Sequence, residues 1–93
     1  MASFEREGNW IFQKGADGNV IAEVTFPNLR EGVVVINHTY VDDSLRGQGI
    51  AGKLVESAYD AIKADGKKAV LTCPYAVKWF SDRPDKSDII IEA

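Results

Sequence analysis

The sequence contains few residues that build covalent or metal cross-links, and it has no long apolar run. Its one cysteine, Cys73, excludes an intramolecular disulfide and therefore a disulfide-stapled secreted miniprotein. Because His38 is the only histidine, no cysteine and histidine cluster has the spacing of a metal site. The longest strongly apolar run, Val33–Ile36, is far too short to span a membrane, and the N-terminus lacks the features of a signal peptide. These absences predict a soluble, cytoplasmic protein without a bound metal or a membrane partner.

The chain also lacks an excess of positive charge. It has 11 basic and 14 acidic residues, a net charge of −3, and its basic residues are scattered. A nucleic-acid-binding protein needs a cationic face for the phosphates, so we expect no nucleic-acid partner. The length of 93 residues allows one domain, which we place at residues 1–93, and the 45% hydrophobic content is typical of a folded chain.

The first third of the sequence predicts antiparallel β structure. Apolar residues at Trp10–Phe12 and Val20–Phe26 flank a turn at Gly15–Asn19, which is the pattern of a β-hairpin. A shorter strand is expected around Ser3–Arg6. The strongest strand signal is Val33–Tyr40, which begins with apolar residues on both alternating faces, as in a central strand covered on two sides.

The hydrophobic period changes from strand to helix at Ile50. One helical face collects the apolar residues Ile50, Ala51, Leu54, Val55, Ala58, Tyr59 and Ile62, and Gly66 ends the helix. Ala69–Cys73 then predicts a buried strand, Tyr75–Asp82 a short helix, and Ile89–Ile91 a terminal strand. The fold class is therefore α+β: an antiparallel N-terminal sheet continues into a parallel βαβ unit from Val33 to Cys73, with a short C-terminal helix.

A glycine-rich loop joins the first strand of this unit to its helix. The glycines at 47, 49 and 52 fit a dinucleotide-binding fingerprint, but a polar loop intervenes and Lys67 stands where the ribose-binding acid belongs. The same segment falls short of a P-loop, because Leu54 replaces the serine or threonine that holds Mg²⁺. Both of these readings are weak.

The loop nevertheless has the chemistry of a phosphate site. Glycines allow the backbone to approach a ligand closely, and the first turn of a helix offers unpaired N–H groups and a positive dipole end. Arg46 adds a positive charge, and the loop lies at the carboxyl end of a parallel strand, where α/β sheets bind ligands. The alternative is an ordinary glycine-rich turn from strand to helix.

The segment Val41–Ala51 resembles the pyrophosphate loop of the GCN5-related N-acetyltransferases. Four motifs occur in the order and spacing of the small, single-domain branch of that superfamily: His38-Thr39-x-Val41, Leu45-Arg46-Gly47-x-Gly49-Ile50, Cys73-Pro74-Tyr75 and Arg83-Pro84. The resemblance extends from Trp10 to Ile89. Two positions depart from it, because Tyr40 and Asp42 stand where members of the branch carry Glu and Pro.

The resemblance implies acetyl-CoA or CoA as the ligand and acetyl transfer to an amine as the reaction. The pantetheine arm is expected between the strands that end near Val41 and Cys73, with the pyrophosphate on the backbone of Gly47–Ala51. The expected cofactor-binding residues are Val41, Arg46, Gly47, Gln48, Gly49, Ile50, Ala51, Tyr75 and Lys78.

Cys73 and His38 are the candidate catalytic residues. Parallel strands end on the same side of a sheet, so we expect both side chains to face the cleft of the CoA thioester. A helix N-terminus lowers the pKa of a thiol, so Cys73 is the candidate nucleophile and His38 the candidate base. Either residue also has a structural alternative, since a free cysteine packs as a small hydrophobe and a lone histidine on an apolar strand is often a core residue.

Several alternatives stay open at this point. The amine attacks bound acetyl-CoA directly, or the acetyl group passes through Cys73. The absent Glu and the lack of further C-terminal strands favour a second class, a non-catalytic CoA- or acyl-CoA-binding module or sensor. A third class is a redox-responsive thiol protein. The acceptor is a small-molecule or protein amine, and an open sheet edge is compatible with a monomer or a weak dimer.

Overall fold

The structure, a computed structural model, describes residues 4–92. This range holds two sheets, two α-helices and two 3₁₀ helices. The strands are β1 (Glu5–Glu7), β2 (Trp10–Lys14), β3 (Val20–Thr25), β4 (Asn28–Arg30), β5 (Val33–Ile36), β6 (His38–Val41) and β7 (Lys68–Leu71), the α-helices are α1 (Ile50–Ala64) and α2 (Pro74–Ser81), and the 3₁₀ helices span Asp43–Leu45 and Pro84–Ile89.

The first sheet is antiparallel and contains β1, β2, β3 and β6 in that order. The predicted hairpin is confirmed as β2 and β3, with Ile11 opposite Val24. Its turn closes through backbone hydrogen bonds from the Gly15 N–H to the Asn19 carbonyl and from the Gly18 N–H to the Gly15 carbonyl, and Gly18 adopts a φ of +86°, which favours glycine. The short strand before the hairpin is β1, and Ser3, where it was expected to begin, lies outside the described residues.

The prediction of one continuous strand over Val33–Tyr40 is wrong. The chain forms β5 and β6, which belong to different sheets, because the backbone changes its hydrogen-bonding partners at Ile36 and Asn37. The Ile36 carbonyl accepts from the N–H groups of Thr72 and Cys73, both at 3.1 Å, whereas the Asn37 N–H donates to the Thr25 carbonyl at 3.3 Å. The two sheets therefore separate at Asn37, and β6 becomes an edge strand of the first sheet.

The predicted βαβ unit is confirmed as β5, α1 and β7. The second sheet has the order β4-β5-β7, and β5 and β7 are parallel with Val34 opposite Ala69. The apolar face of α1 is buried against both sheets, and each buried aliphatic side chain stabilises the fold by about 1.5–3 kcal/mol. Gly66, with a φ of +69°, follows the helix as predicted. The α+β architecture inferred from the sequence is therefore correct.

Two predictions for the C-terminal third need correction. Cys73 does not belong to β7, because that strand ends at Leu71. Instead, Cys73 is the residue directly before α2. The expected strand at Ile89–Ile91 is also wrong, because Pro84 begins a 3₁₀ helix that buries Ile89. Among residues 4–92, only a parallel bridge between Ile90 and Ala69 continues the sheet beyond β7. None of the helices in residues 4–92 has the length and apolar character that crossing a lipid bilayer requires.

Candidate functional site

The loop between β6 and α1 is built from a short 3₁₀ turn followed by glycines in left-handed conformations. Asp42 begins the turn by accepting hydrogen bonds from the Ser44 N–H at 3.0 Å and the Ser44 hydroxyl at 2.6 Å. These two bonds hold the pKa of Asp42 below its ordinary value. Gly47 and Gly49 have φ values of +84° and +70°, and a Cβ on either glycine would meet no atom within 4 Å. The loop is therefore shaped by backbone conformation, and it is open to a ligand.

The N-terminus of α1 points its first N–H groups at this open loop. Gly49 occupies the position before the helix and has no side chain that could cap it. No other side chain of the loop caps the helix either, so the N–H groups of its first turn keep their capacity to bind an anion.

A cavity of about 430 Å³ lies between this loop, β6 and the start of α2. Seven of the nine predicted cofactor-binding residues line it: Val41, Arg46, Gly47, Gly49, Ile50, Ala51 and Tyr75. Gln48 is exposed in the loop outside this lining, and Lys78 is exposed on α2, where it pairs with Asp82 at 3.6 Å. The structure thus brings most of the predicted residues together and leaves Gln48 and Lys78 apart from the cavity.

The cavity lining includes two residues that the sequence analysis missed, Thr39 and Leu45. Thr39 had a signal, because side chains alternate along a strand and Thr39 shares a face with Val41. Leu45 also had a signal, because it begins the motif Leu45-Arg46-Gly47-x-Gly49-Ile50, although it was not among the expected cofactor-binding residues.

Gly52 allows the two helices to approach each other beside the cavity. A Cβ at this position would lie 3.3 Å from Trp79 Nε1 and 3.4 Å from the Tyr75 hydroxyl. Gly52, the third glycine of the loop motif, therefore allows the helices to pack closely. Helix packing accounts for a glycine at this position, so a dinucleotide-binding site is not needed to explain it.

The side chain of Arg46 is engaged by an acid of the same loop. Its Nε donates to Asp43 Oδ1 at 2.6 Å, and the side chains of Arg46 and Asp43 are 76% and 86% exposed. Because a pair this exposed is weak, the guanidinium can exchange Asp43 for a stronger anion such as a phosphate.

Cys73 is buried next to Thr39, a residue of the cavity lining, and is itself not among the lining residues. Its Sγ lies 3.5 Å from the Thr39 hydroxyl, and it immediately precedes the N-terminus of α2. Burial raises the pKa of the Cys73 thiol, but hydrogen bonds from the Thr39 hydroxyl and from the backbone N–H groups of Ala76, Tyr75 and Thr39 outweigh this effect and leave the pKa below its ordinary value. The surroundings of Cys73 favour the nucleophilic thiolate.

His38 does not share a face with Cys73, so the expectation that both face one cleft is wrong. Side chains alternate along β6, and Thr39 takes the face toward the thiol. His38 points to the opposite face of the sheet, where its Nε2 lies 3.2 Å from Glu23 Oε2. The catalytic role of His38 stays a prediction. Because its side chain and the Cys73 thiol lie on opposite faces of β6, His38 is not positioned to take the proton of that thiol.

Comparison with known proteins agrees with the fold. A family model described as GCN5-related N-acetyl-transferase matches residues 10–89, so the chain belongs to the GCN5-related N-acetyltransferase family. It is similar to Protein NATD1 of Gallus gallus and of Homo sapiens, each 40% identical over 63 residues, or 68% of this chain. The chain spans 57% and 56% of the length of these two relatives.

Solved structures share the same fold. A GCN5-like protein from Staphylococcus aureus superposes with a TM-score of 0.80 at 22% identity, covering 99% of this chain and 90% of that one. The N-acetyltransferase YhbS from Escherichia coli, solved in complex with CoA, superposes with a TM-score of 0.54 at 27% identity, covering 62% of this chain and 35% of that one.

Proposed function

We propose that this chain binds acetyl-CoA in the cavity between β6, α1 and α2 and transfers the acetyl group to an amine through Cys73. The observation that carries the proposal is the contact of the Cys73 thiol with Thr39, which lines a cavity that also contains the uncapped N-terminus of α1. Transfer of an acyl group from a thioester with a phosphorylated tail through a cysteine uses both features. The CoA-bound family member supports the choice of ligand.

The residues present fit the two ends of the ligand. The pyrophosphate needs N–H donors and a cation, which the backbone of Gly47–Ala51 and the side chain of Arg46 supply. The pantetheine arm needs apolar walls and amide partners. Val41, Leu45 and Ile50 supply the walls, and the free edge of β6 supplies backbone groups.

The chemistry of the chain's own residues follows from the environment of Cys73. The Cys73 thiolate attacks the acyl carbon of the substrate thioester, a new S–C bond forms, and CoA leaves as its thiolate. A neutral amine then attacks the acetyl carbon of the acetyl-cysteine, the amide forms as the S–C bond breaks, the amine nitrogen loses one proton to solvent, and the Cys73 thiolate is regenerated. The hydrogen bonds from Thr39 and from the α2 backbone stabilise the negative sulfur before the first step and after the second.

Titration calorimetry with acetyl-CoA, followed by intact-mass measurement, tests the proposal. We expect binding of acetyl-CoA and a mass increase of one acetyl group that is absent in Cys73→Ala. Absence of binding at millimolar ligand would overturn the proposal. Amine acetylation at the wild-type rate by Cys73→Ala would show direct transfer instead, and binding without any acetyl transfer would identify a CoA-binding module.

The loop assignment has its own matched pair of variants. Gly49→Trp places a large side chain in the open loop and is expected to abolish binding. Gly18→Trp introduces the same side chain at a glycine whose φ is also positive, in the hairpin turn outside the cavity lining, so it controls for backbone strain. Equal affinities of the two variants would contradict the assignment.

A further inference from the structure

Two of the tryptophan and tyrosine side chains have no hydrogen-bond acceptor within residues 4–92. Trp10, Tyr40 and Tyr59 each donate to a carboxylate, at distances between 2.8 and 3.2 Å. In contrast, neither the indole N–H of Trp79 nor the hydroxyl of Tyr75 donates to a group of the described chain. A buried indole N–H ordinarily has a partner, so the N–H of Trp79 is available to a group from outside the chain.

The indole of Trp79 is buried, but its N–H is accessible from outside. Trp79 is only 5% exposed. Among the residues that the structure describes, Gln13 Oε1 is the one fully buried side-chain oxygen or nitrogen that lacks a partner. Since Trp79 Nε1 also lacks a partner, this atom belongs to the small exposed part of its side chain. A ligand can therefore contact the N–H without displacing the core.

The two free donors lie beside the same residue of α1. A Cβ on Gly52 would be 3.3 Å from Trp79 Nε1 and 3.4 Å from the Tyr75 hydroxyl. Tyr75 and Trp79 are four positions apart in α2, so their side chains project from the same face of that helix. The donors are thus close enough to each other to bind one group of a ligand.

This pair of donors adjoins the cavity that we assign to acetyl-CoA. Tyr75 is part of the cavity lining, and so is Ala51, the residue before Gly52. Gly52 and Trp79 are not lining residues themselves. The indole N–H therefore lies at the border of the cavity, between α1 and α2.

The ring of Trp79 is held in position by its neighbours. The guanidinium carbon of Arg83 lies 4.3 Å from the ring centroid, and Arg83 Nη1 donates to the Trp79 carbonyl at 3.2 Å. The Phe80 ring packs edge-on against the indole, with centroids 4.9 Å apart and an angle of 80° between the planes. A cation over an indole face attracts the ring electrons, which makes the N–H a stronger donor. Arg83, from the motif Arg83-Pro84, thus supports the donor at Trp79.

The chemistry of the two donors favours an uncharged acceptor. The phosphates of CoA are matched by the N-terminus of α1 and by the charge of Arg46. An indole N–H and a phenol hydroxyl carry no charge, and they match the amide carbonyl oxygens of the pantetheine arm.

We propose that the Trp79 N–H, together with the Tyr75 hydroxyl, binds an amide carbonyl oxygen of the pantetheine arm of acetyl-CoA. This inference rests on the proposed binding of acetyl-CoA. It gives Trp79 a role in ligand binding besides its role in the core, and it gives the free N–H of the indole a partner.

Correlation spectra of ¹H and ¹⁵N in the full chain test the inference without any change at Trp79. The sequence has two tryptophans, so two indole signals occur, and Trp10→Phe assigns them. On titration with CoA we expect the Trp79 indole proton to move downfield. The Trp10 signal should stay in place, because its N–H already donates to Glu23. Phosphopantetheine should produce the same movement, whereas adenosine bisphosphate, which lacks the arm, should not.

The backbone amides of Gly47 and Gly49 report binding independently of Trp79, since both glycines line the cavity. If CoA moves these amides and leaves the Trp79 indole in place, the inference is overturned and the proposed function stands. A Trp79 signal that responds to adenosine bisphosphate and not to phosphopantetheine would also overturn it. If neither the amides nor the indole respond to millimolar CoA, the proposed function is overturned together with this inference.

Calorimetry with variants measures how much the N–H contributes. Trp79→Phe keeps an aromatic ring in the core and removes the donor, and we expect the affinity for CoA to fall roughly 2- to 10-fold, as for the loss of one hydrogen bond. Trp10→Phe is the matched control, because Trp10 is outside the cavity lining, and it should bind CoA like the wild type.

A second replacement separates the donor from the volume of the ring. Benzothienylalanine at position 79 keeps the bicyclic shape of the indole and has sulfur in place of the N–H. We expect it to lose affinity for CoA as Trp79→Phe does. Wild-type affinity with benzothienylalanine would show that Trp79 acts through packing alone and would overturn the inference.

Discussion

The hydroxyl of Thr39 lies 3.5 Å from the sulfur of Cys73, although the two residues are 34 positions apart in the chain. The contact spans the point where the two sheets separate, and it joins the edge strand β6 to the start of α2. It gives the thiol a neutral partner on the cavity side, where Thr39 also contributes to the lining. The pKa of Cys73 therefore depends on how the sheets separate.

Thr39→Val is expected to raise the pKa of Cys73. Among the interactions that lower this pKa, the hydrogen bond from the Thr39 hydroxyl is the largest, and burial alone raises it. Without the hydroxyl, less thiolate is present at neutral pH, and each unit of pKa lowers that fraction about tenfold. The rate of alkylation by iodoacetamide as a function of pH measures the midpoint, which should move upward.

Thr72→Val is the control for this experiment. It makes the same substitution one residue before Cys73, at an exposed position. Its alkylation profile should match that of the wild type. A Thr39→Val midpoint at or below the wild-type value would show that the hydroxyl does not stabilise the thiolate.

Asp43→Asn is expected to tighten the binding of CoA by several-fold. The carboxylate of Asp43 holds Arg46 at 2.6 Å and adds negative charge next to the loop that we assign to the pyrophosphate. Removing this charge frees the guanidinium and ends the repulsion. Calorimetric titration with CoA at low salt measures the effect, which should shrink as the salt concentration rises because the groups are exposed.

The control is Asp60→Asn on the exposed face of α1, which changes the net charge equally. If both variants bind CoA with the same affinity, the effect is one of overall charge, and the competition between Asp43 and the ligand is refuted.

The sequence predicted those parts of the fold in which buried apolar residues recur at the regular spacing of a strand or a helix. The hairpin, the amphipathic face of α1 and the parallel pair were predicted correctly because each leaves a repeating pattern of apolar residues. The separation of β5 from β6 was not predictable in this way. Residues 33–40 favour a strand throughout, and the break arises from hydrogen bonds that Ile36 and Asn37 make with distant segments.

The candidate site shows the same division. The loop was recognisable because glycines with positive φ and a helix start are local features. Glu23 was missed, since its relation to His38 depends on the pairing of β3 with β6 across 15 positions. Because side chains alternate along a strand, His38 and Thr39 must lie on opposite faces of β6. This rule alone could have shown that only one of these two side chains faces Cys73.

Gly52→Ala is expected to weaken ligand binding although alanine is the better helix former. The substitution favours α1 by about 1 kcal/mol in helix propensity. However, the new methyl group would lie 3.3 Å from Trp79 Nε1 and 3.4 Å from the Tyr75 hydroxyl, so these side chains must shift by a few tenths of an ångström. Because Tyr75 lines the cavity, this movement should lower the affinity for CoA in calorimetry.

Chemical denaturation of Gly52→Ala provides the second readout. We expect a gain in the free energy of unfolding smaller than helix propensity alone predicts, because the crowded contact opposes it. A full gain of about 1 kcal/mol together with unchanged CoA affinity would mean that the helices accept the methyl group freely.

Asp88→Asn is expected to destabilise the fold at neutral pH and to lose this effect in acid. Asp88 accepts a hydrogen bond from the buried Tyr59 at 2.8 Å and pairs with Lys63 at 2.9 Å. Because both partners belong to α1, these contacts connect the C-terminal 3₁₀ helix to that helix. The hydrogen bond from Lys63 and that from Tyr59 lower the pKa of Asp88 in the folded protein.

A carboxylate whose pKa is lowered by folding stabilises the native state above its unfolded pKa, and this contribution disappears as the pH falls through the folded pKa. Urea denaturation should therefore show a difference between wild type and Asp88→Asn that is largest near pH 7 and shrinks as the pH falls below the unfolded pKa of about 3.9 and through the lower pKa of the folded state. Asp85→Asn, at an exposed acid of the same 3₁₀ helix, is the control. A difference for Asp88→Asn that is constant from pH 7 to pH 3 would show that the charge of Asp88 does not hold the C-terminal segment.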